Sequence, residues 1–218
     1  MPDIDKINNV AVADISKLDS ITFADGQKVN NQDVSLVTDA HTLIATATSD
    51  GSDSSLGFTS GIDSTYDVYE FVFTNIHPET DTVNFGFQVS TGTGFDQLEI
   101  TSTYATAYHV EDDSGADVTY DGDYDQAEGT AYQVLARDVG TDNDESASGI
   151  LTLYAPSSGT YVKNFMATVS STYRTGYQFN NYIAGYIDTT TAITQIDFKF
   201  ASDEIQGGEI KMYGLATS

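Results

Sequence analysis

The stretch Val83-Asn84-Phe85-Gly86-Phe87-Gln88-Val89-Ser90 alternates apolar residues with small or polar ones along its whole length. A period of two places its four apolar side chains on one face, which is the pattern of a β-strand with one face in a core. The same alternation occurs in three other stretches: Tyr69-Glu70-Phe71-Val72-Phe73, Leu151-Thr152-Leu153 and Ile196-Asp197-Phe198-Lys199-Phe200. These four segments predict a β-rich core.

The rest of the chain after about residue 35 consists of short strand candidates separated by turn-forming clusters. The further candidates are 41–48, 97–101, 103–110, 130–136, 160–169, 182–187 and 209–215, and Gln206-Gly207-Gly208 is among the predicted turns. No stretch sustains the apolar spacing of a helix over three turns. About ten or eleven short strands predict an all-β fold, an antiparallel β-sandwich of jelly-roll type. This domain is expected over residues 35–218, after a short N-terminal arm.

The charge of the chain is concentrated in its middle. The 218 residues carry 8 Lys+Arg and 33 Asp+Glu, a net charge of −25, and Arg137 is the one base in segment 34–162. Such a balance argues against binding to nucleic acid or to anionic lipid. No long apolar run predicts a membrane span, the polar N-terminus is not typical of a signal peptide, and the absence of Cys excludes disulfides. The acidic middle is expected to face water.

Residues 1–34 contain an 11-residue repeat. Asp3-Ile4-Asp5-Lys6-Ile7-Asn8-Asn9-Val10 aligns with Asp14-Ile15-Ser16-Lys17-Leu18-Asp19-Ser20-Ile21, and a weaker copy includes Lys28-Val29. Each unit has too few apolar residues to bury a face alone. The Asn, Asp and Ser pairs favour short strands or helical turns joined by tight turns, and a flexible arm is the alternative. We expect an anchoring or assembly element, with contacts from the following residues: Ile4, Lys6, Ile7, Ile15, Lys17, Leu18, Lys28 and Val29.

These tandem copies resemble the N-terminal repeats of virion structural proteins of tailed bacteriophages, of the kind seen in marine and cyanobacterial phages. Stretches of the body resemble the same group, among them Asn75-Ile76-His77-Pro78-Glu79-Thr80-Asp81, Asp142-Asn143-Asp144-Glu145-Ser146 and Gly208-Glu209-Ile210-Lys211-Met212-Tyr213-Gly214. The resemblance implies a tail or head fibre or a decoration protein, located in the virion at the particle surface. It names no activity and does not distinguish head, neck and tail.

Two groups of acidic residues invite comparison with calcium loops. Asp121-Gly122-Asp123-Tyr124-Asp125 begins like an EF-hand, but Gln126 and Tyr132 occupy the positions that need Gly and Glu. A looser calcium site remains an alternative, and its candidate ligands are Asp121, Asp123, Asp125, Asp138, Asp142, Asp144 and Glu145. The favoured interpretation is solvated loop acids that keep the protein soluble. No cofactor is therefore predicted.

The sequence offers no marked catalytic constellation. His41, His77 and His109 are scattered, and each is better explained as a structural histidine. No nucleophile elbow, Ser-x-x-Lys motif or phosphate-binding loop is present. A pair of carboxylates could serve a glycosidase, but proximity of some pair is expected among so many acids. We expect a protein that is not an enzyme.

Aromatic residues crowd the segment 161–186. Tyrosines combine an apolar ring with a polar tip, which suits core packing, protein interfaces and sugar stacking alike. The candidates for glycan or subunit contact are Tyr161, Tyr173, Tyr177 and Tyr182. The leading hypothesis is a structural protein that contacts other virion proteins, forms a homo-oligomer such as a trimer, and projects its acidic sandwich outward. The alternatives are a carbohydrate-binding module for adsorption to the host surface and a glycan-degrading enzyme.

Overall fold

The computed structural model describes residues 41–215 except 93, 96 and 97, together with four short strands in the first 33 residues. The chain divides into two compact units, Met1–Asp39 and Ala40–Ser218. The first unit contains two antiparallel ladders: β1 (Lys6–Ile7) with β2 (Val10–Ala11), and β3 (Lys28–Val29) with β4 (Gln32–Asp33).

The two ladders of the first unit use equivalent positions of the repeat. Lys6 and Lys28 begin them, two repeat periods apart, and Asn-Asn separates the paired strands in both cases. The repeat therefore forms the same short antiparallel hairpin at two of its positions. The expectation of short strands is confirmed at these positions. Ile4, Ile15, Lys17 and Leu18 lie outside the described residues.

The second unit consists of two antiparallel sheets. The larger has eight strands, in spatial order β10 (Ala116–Tyr120), β9 (Ile100–Val110), β14 (Tyr177–Ile187), β13 (Lys163–Tyr173), β12 (Ala147–Tyr154), β7 (Val68–Pro78), β16 (Ile205–Leu215) and β5 (His41–Thr48). The smaller has four, in the order β11 (Gln133–Val139), β8 (Val83–Ser90), β15 (Gln195–Phe200) and β6 (Leu56–Phe58).

Phenylalanine rings from the inner faces of both sheets form the core. Phe85 of β8 lies 5.6 Å from Phe73 of β7, and Phe87 of β8 lies 5.1 Å from Phe165 of β13, between ring centroids. All four side chains are almost completely buried. Burying a side chain of this size stabilises a fold by about 1.5–3 kcal/mol. The all-β, antiparallel β-sandwich predicted from the alternation is confirmed, while its jelly-roll type stays a prediction.

The outer side of the small sheet is covered by loops. Gln88 is fully buried, and its Nε2 donates hydrogen bonds to the carbonyls of Leu98, Thr130 and Ala131 at 3.1–3.3 Å. Ser90 is also buried on that side. The polar half of the alternation in β8 therefore contacts protein, because two loops lie across it.

Several strand boundaries differ from the sequence prediction. The predicted turn at residues 206–208 is wrong, because these residues lie within β16. Gly208 has φ +110° beside a register shift, so it forms a bulge that keeps the strand paired. Two strands had no predicted counterpart: β6 is only three residues long, and every residue of β10 is exposed. Both strands alternate apolar with small or polar residues, but β6 is too short for the pattern to stand out and the apolar residues of β10 reach no core. No helix in the described part of the chain is long and apolar enough to cross a membrane.

Candidate binding face

The exposed apolar side chains gather on the solvent side of the eight-stranded sheet, here called the outward face. Strand β12 shows which residues lie on this face. Leu151 and Leu153 point into the core, so the alternate residues Ile150, Thr152 and Tyr154 point outward. The strand registers place seven of the eight large exposed hydrophobic residues of the described chain on this face: Leu43, Val118, Tyr120, Ile150, Tyr154, Met166 and Tyr182. Tyr161, in a loop, is the eighth. This concentration makes the outward face the candidate for a binding surface.

Four adjacent strands of the outward face carry no charge there, while strands β7 and β16 place Glu70, Glu209 and Lys211 on it. The outward positions of β9, β14, β13 and β12 contain no Asp, Glu, Lys or Arg; they are Thr, Ser, Asn, Gln, Ala and the hydrophobic residues already named, with Tyr186 and His109. This neutrality occurs in a chain of net charge −25. Depletion of charge together with enrichment in Tyr and Met is the composition of contact surfaces.

Two adjoining depressions cross the outward face, and together they form what we call the transverse groove. The first, of about 300 Å³, is lined by Ile150, Thr152, Tyr154, Met166 and Thr168 with Glu70. The second, of about 270 Å³, is lined by His41, Val72 and Tyr213, and it shares Glu70 and Ile150 with the first. The groove thus runs across strands β13, β12, β7, β16 and β5.

Side-chain contacts fix the groove walls. The Tyr154 hydroxyl lies 3.9 Å from the sulfur of Met166, to which it donates. His41 Nε2 lies 2.8 Å from Glu70 Oε2, and the His41 ring lies 5.8 Å from that of Tyr213. These contacts fix two parts of the groove wall before any ligand arrives.

The four tyrosines predicted as contacts do not form one site. Tyr182 lies on the outward face, where Asn180 donates a hydrogen bond of 2.6 Å to its hydroxyl and 46% of the residue stays exposed. Tyr161 is exposed in a loop. Tyr173 and Tyr177 lie on the inward side of the β13–β14 hairpin, their ring centroids 5.9 Å apart and within 6.1 Å of Phe179. These two rings close one end of the core.

The acidic candidates around residue 121 are engaged within the protein. Arg137 donates to Asp121 at 2.5 Å and to Asp138 at 2.9 Å. Asp125 accepts a hydrogen bond from the Tyr120 hydroxyl, and the backbone N–H of Asp123 donates to Asp121. Arg137 neutralises part of this cluster, so two of its carboxylates already have a cation.

The second acidic group forms a compact loop. Asp142 N–H donates to Glu145 Oε2 at 2.8 Å, and Glu145 N–H donates back to the Asp142 carbonyl at 2.8 Å. Glu145 is buried, and its carbonyl contacts His77 Nδ1 at 2.7 Å beside a polar depression that Asp144 also lines. Among the described residues, no three His, Asp or Glu side chains are arranged to hold a metal ion.

A further depression, of about 370 Å³, lies beside the small sheet and contains two carboxylates. Asp197 accepts a hydrogen bond of 2.8 Å from the Tyr132 hydroxyl, and Lys199 Nζ lies 4.2 Å from the centre of the Tyr132 ring. Asp203, the second carboxylate, accepts from the Thr80 hydroxyl. Both carboxylates thus accept hydrogen bonds from hydroxyl groups of neighbouring side chains. None of the exposed apolar residues of the outward face lines this depression.

The sequence prediction included one residue of the outward face, Tyr182, and missed the groove. The alternation in β12 and β13 could have indicated the groove. Leu151 and Phe165 face inward, so their neighbours Ile150 and Met166 must be apolar residues that face outward. Comparison with protein-family models, with characterised proteins and with solved structures finds no match.

Proposed function

We propose that the protein is a non-enzymatic structural component of a tailed-bacteriophage particle, a capsid decoration protein or a short head or tail fibre. In this proposal the N-terminal repeats attach the chain to other virion proteins, and the sandwich lies at the particle surface. One observation carries the proposal: the repeat hairpins and the neutral outward face belong to separate compact units. Two surfaces on two units suit a molecule that attaches through one unit and contacts something else through the other.

The composition of the repeat supports its role in attachment. Lys6, Lys17 and Lys28 are the only bases before Arg137, and each is followed by one aliphatic residue. Each repeat unit holds only three or four apolar residues, too few to bury a face within one chain, so they gain most by packing against another protein. A homo-oligomer, for which a trimer is the form typical of fibres, would supply such a surface.

The charge distribution supports the outward position of the sandwich. Apart from Arg137 the segment 34–162 carries only acidic charges, and Arg137 is bound by Asp121 and Asp138. Mutual repulsion of acidic surfaces disfavours close packing of sandwiches with one another and keeps a crowded particle surface hydrated.

Deletion of residues 2–33 tests the attachment. We expect the truncated chain to keep the β-sheet circular dichroism and the cooperative unfolding of the full chain, and to be missing from purified particles grown with it. The matched control is the full chain with Tyr161→Ala, which should be incorporated normally. Normal incorporation of the truncated chain would contradict the proposal.

A further inference from the structure

We infer that the transverse groove binds a linear, uncharged oligosaccharide. The inference deepens the proposed function and rests on it in one respect, the location of the protein at the particle surface. A protein at that surface that binds a glycan can attach the particle to a cell. The binding itself is a property of the sandwich and is measured on the isolated chain.

The shape of the groove indicates a linear ligand. Its two depressions share Glu70 and Ile150 and cross five adjacent strands. At about 4.8 Å between neighbouring strands, the five strands span about 19 Å. A ligand of this length that lies across a sheet contacts side chains only, because the backbone polar groups of interior strands are already paired. This excludes recognition of a peptide by strand addition at this site.

The lining of the groove matches the chemistry of a sugar. A pyranose ring has an apolar C–H face and a rim of hydroxyl groups, so it needs an apolar or aromatic surface beside hydrogen-bonding groups. Tyr154 and Tyr213 supply rings, and Ile150 and Met166 supply apolar surface. Thr152 and Thr168 can donate and accept, and Glu70 accepts only. Sites for small ligands combine largely apolar walls with a few polar groups in this way.

The charges in and around the groove favour an uncharged glycan over a charged one. Glu70 is the only Asp, Glu, Lys or Arg among the described residues that line the two depressions. An anionic sugar would meet this carboxylate and the field of a chain with net charge −25. A basic protein partner would find only two acids at strand positions of the outward face, Glu70 and Glu209, and Glu209 is already paired with Lys211. The neutral hydroxyl groups of an uncharged glycan can hydrogen-bond to the groove without electrostatic repulsion and without needing acidic partners.

The test uses the full chain and a panel of immobilised oligosaccharides of four to six sugars, neutral hexose chains alongside uronic-acid and sialylated ones. We expect retention on at least one neutral member and none on the acidic members. Tyr154→Ala should weaken that binding by about tenfold or more, the loss expected when an aromatic anchor is removed. Tyr161→Ala is the matched control, because Tyr161 is 71% exposed, against 37% for Tyr154, and lies in a loop off the outward face; it should bind normally.

Three results would overturn the inference: a blank panel, binding only to acidic members, or equal losses in the two tyrosine variants. Met166→Lys is a second probe of the groove, at an exposed position where folding is not at risk, and it should also reduce binding. Self-association of the full chain that Met166→Lys abolishes, with no glycan retained, would assign the face to a second copy of the protein. Failure of glycan binding leaves the particle-incorporation experiment unaffected, so the two proposals fail separately.

Discussion

The guanidinium of Arg137 lies over the ring of Phe179, with its central carbon 4.9 Å from the ring centroid. The same group lies 5.0 Å from the centre of the Tyr124 ring and donates to Asp121 and Asp138. Arg137 belongs to β11 of the small sheet and Phe179 to β14 of the large one, so this contact joins the two sheets. The single base of the acidic segment is thereby used inside the fold.

Arg137→Lys should lower the free energy of unfolding by about 1–3 kcal/mol, because lysine keeps the charge but loses the planar fork and the stacking. Urea denaturation of the purified chain measures the change. The matched control is Arg174→Lys: Arg174 lies 3.5 Å from Asp81 in an exposed pair, and such pairs contribute about 0–1 kcal/mol. Equal small effects of both substitutions would show that Arg137 does not join the sheets energetically.

Lys163→Met should destabilise the sandwich by about 1–3 kcal/mol, because Lys163 is fully buried and its removal leaves carbonyl groups without a donor. Its Nζ donates to the carbonyls of Ser158, Tyr161 and Thr189 at 2.6–3.3 Å, which ties two loops together. Amide hydrogen exchange should become faster in both loops. Lys211→Met, at a half-buried lysine paired with Glu209, serves as the control and should leave hydrogen exchange in the two loops unchanged.

Gly208→Ala should lower stability by about 1–3 kcal/mol, since φ +110° is strained for any residue with a side chain. A Cβ at this position would also lie 2.6 Å from the Asn75 carbonyl oxygen. Gly159→Ala is the control, because a Cβ there meets nothing within 4 Å. Thermal unfolding of the two variants should differ clearly; identical melting temperatures would mean that the bulge in β16 relaxes at no cost.

Tyr104→Phe should make the protein less sensitive to alkaline pH. Burial raises the pKa of the Tyr104 hydroxyl well above its usual value, and the nearby Arg137 charge opposes this only in part. The unfolded chain therefore loses this proton first as the pH rises, so the free energy of unfolding falls above about pH 10. The phenylalanine variant lacks that contribution. Its stability should decline less steeply between pH 9 and pH 11 than that of a Tyr161→Phe control, whereas parallel declines would contradict the assignment.

Period-two alternation predicted the core because most core residues follow it, as Phe85 and Phe87 show, although the bulged strand β11 buries the consecutive residues Leu135 and Ala136. The same rule does not reveal which strand faces are covered. Gln88 points away from the core yet is fully buried, because loops distant in sequence lie over it. The tyrosines show the same limit: Tyr177 and Tyr182 lie five residues apart on one strand and therefore on opposite faces, so composition alone grouped residues that the sheet separates.

Glycines were the second source of error. Gly207-Gly208 has the composition of a turn, but the neighbouring strands β7 and β5 pair with β16 on both sides and hold it as a strand with bulges. The location of the candidate binding site likewise depends on how the strands are arranged in the sheet, which the sequence pattern does not give. The groove combines His41, Glu70 and Met166 from three distant segments, and their proximity follows only from the spatial order of the strands.

The orientation of the molecule in the particle is tested most directly by comparing chemical labelling of the free chain and of intact particles. Lysine acetylation reports on Lys6, Lys17 and Lys28, and methionine oxidation reports on Met166, which is 55% exposed. Buried Lys163 and Met212 should stay unreactive in both samples and serve as internal controls. We predict that the three repeat lysines become protected in the particle while Met166 oxidises as fast as in the free chain. Protection of Met166 with reactive repeat lysines would contradict the account, because the outward face would then be the surface attached to the particle.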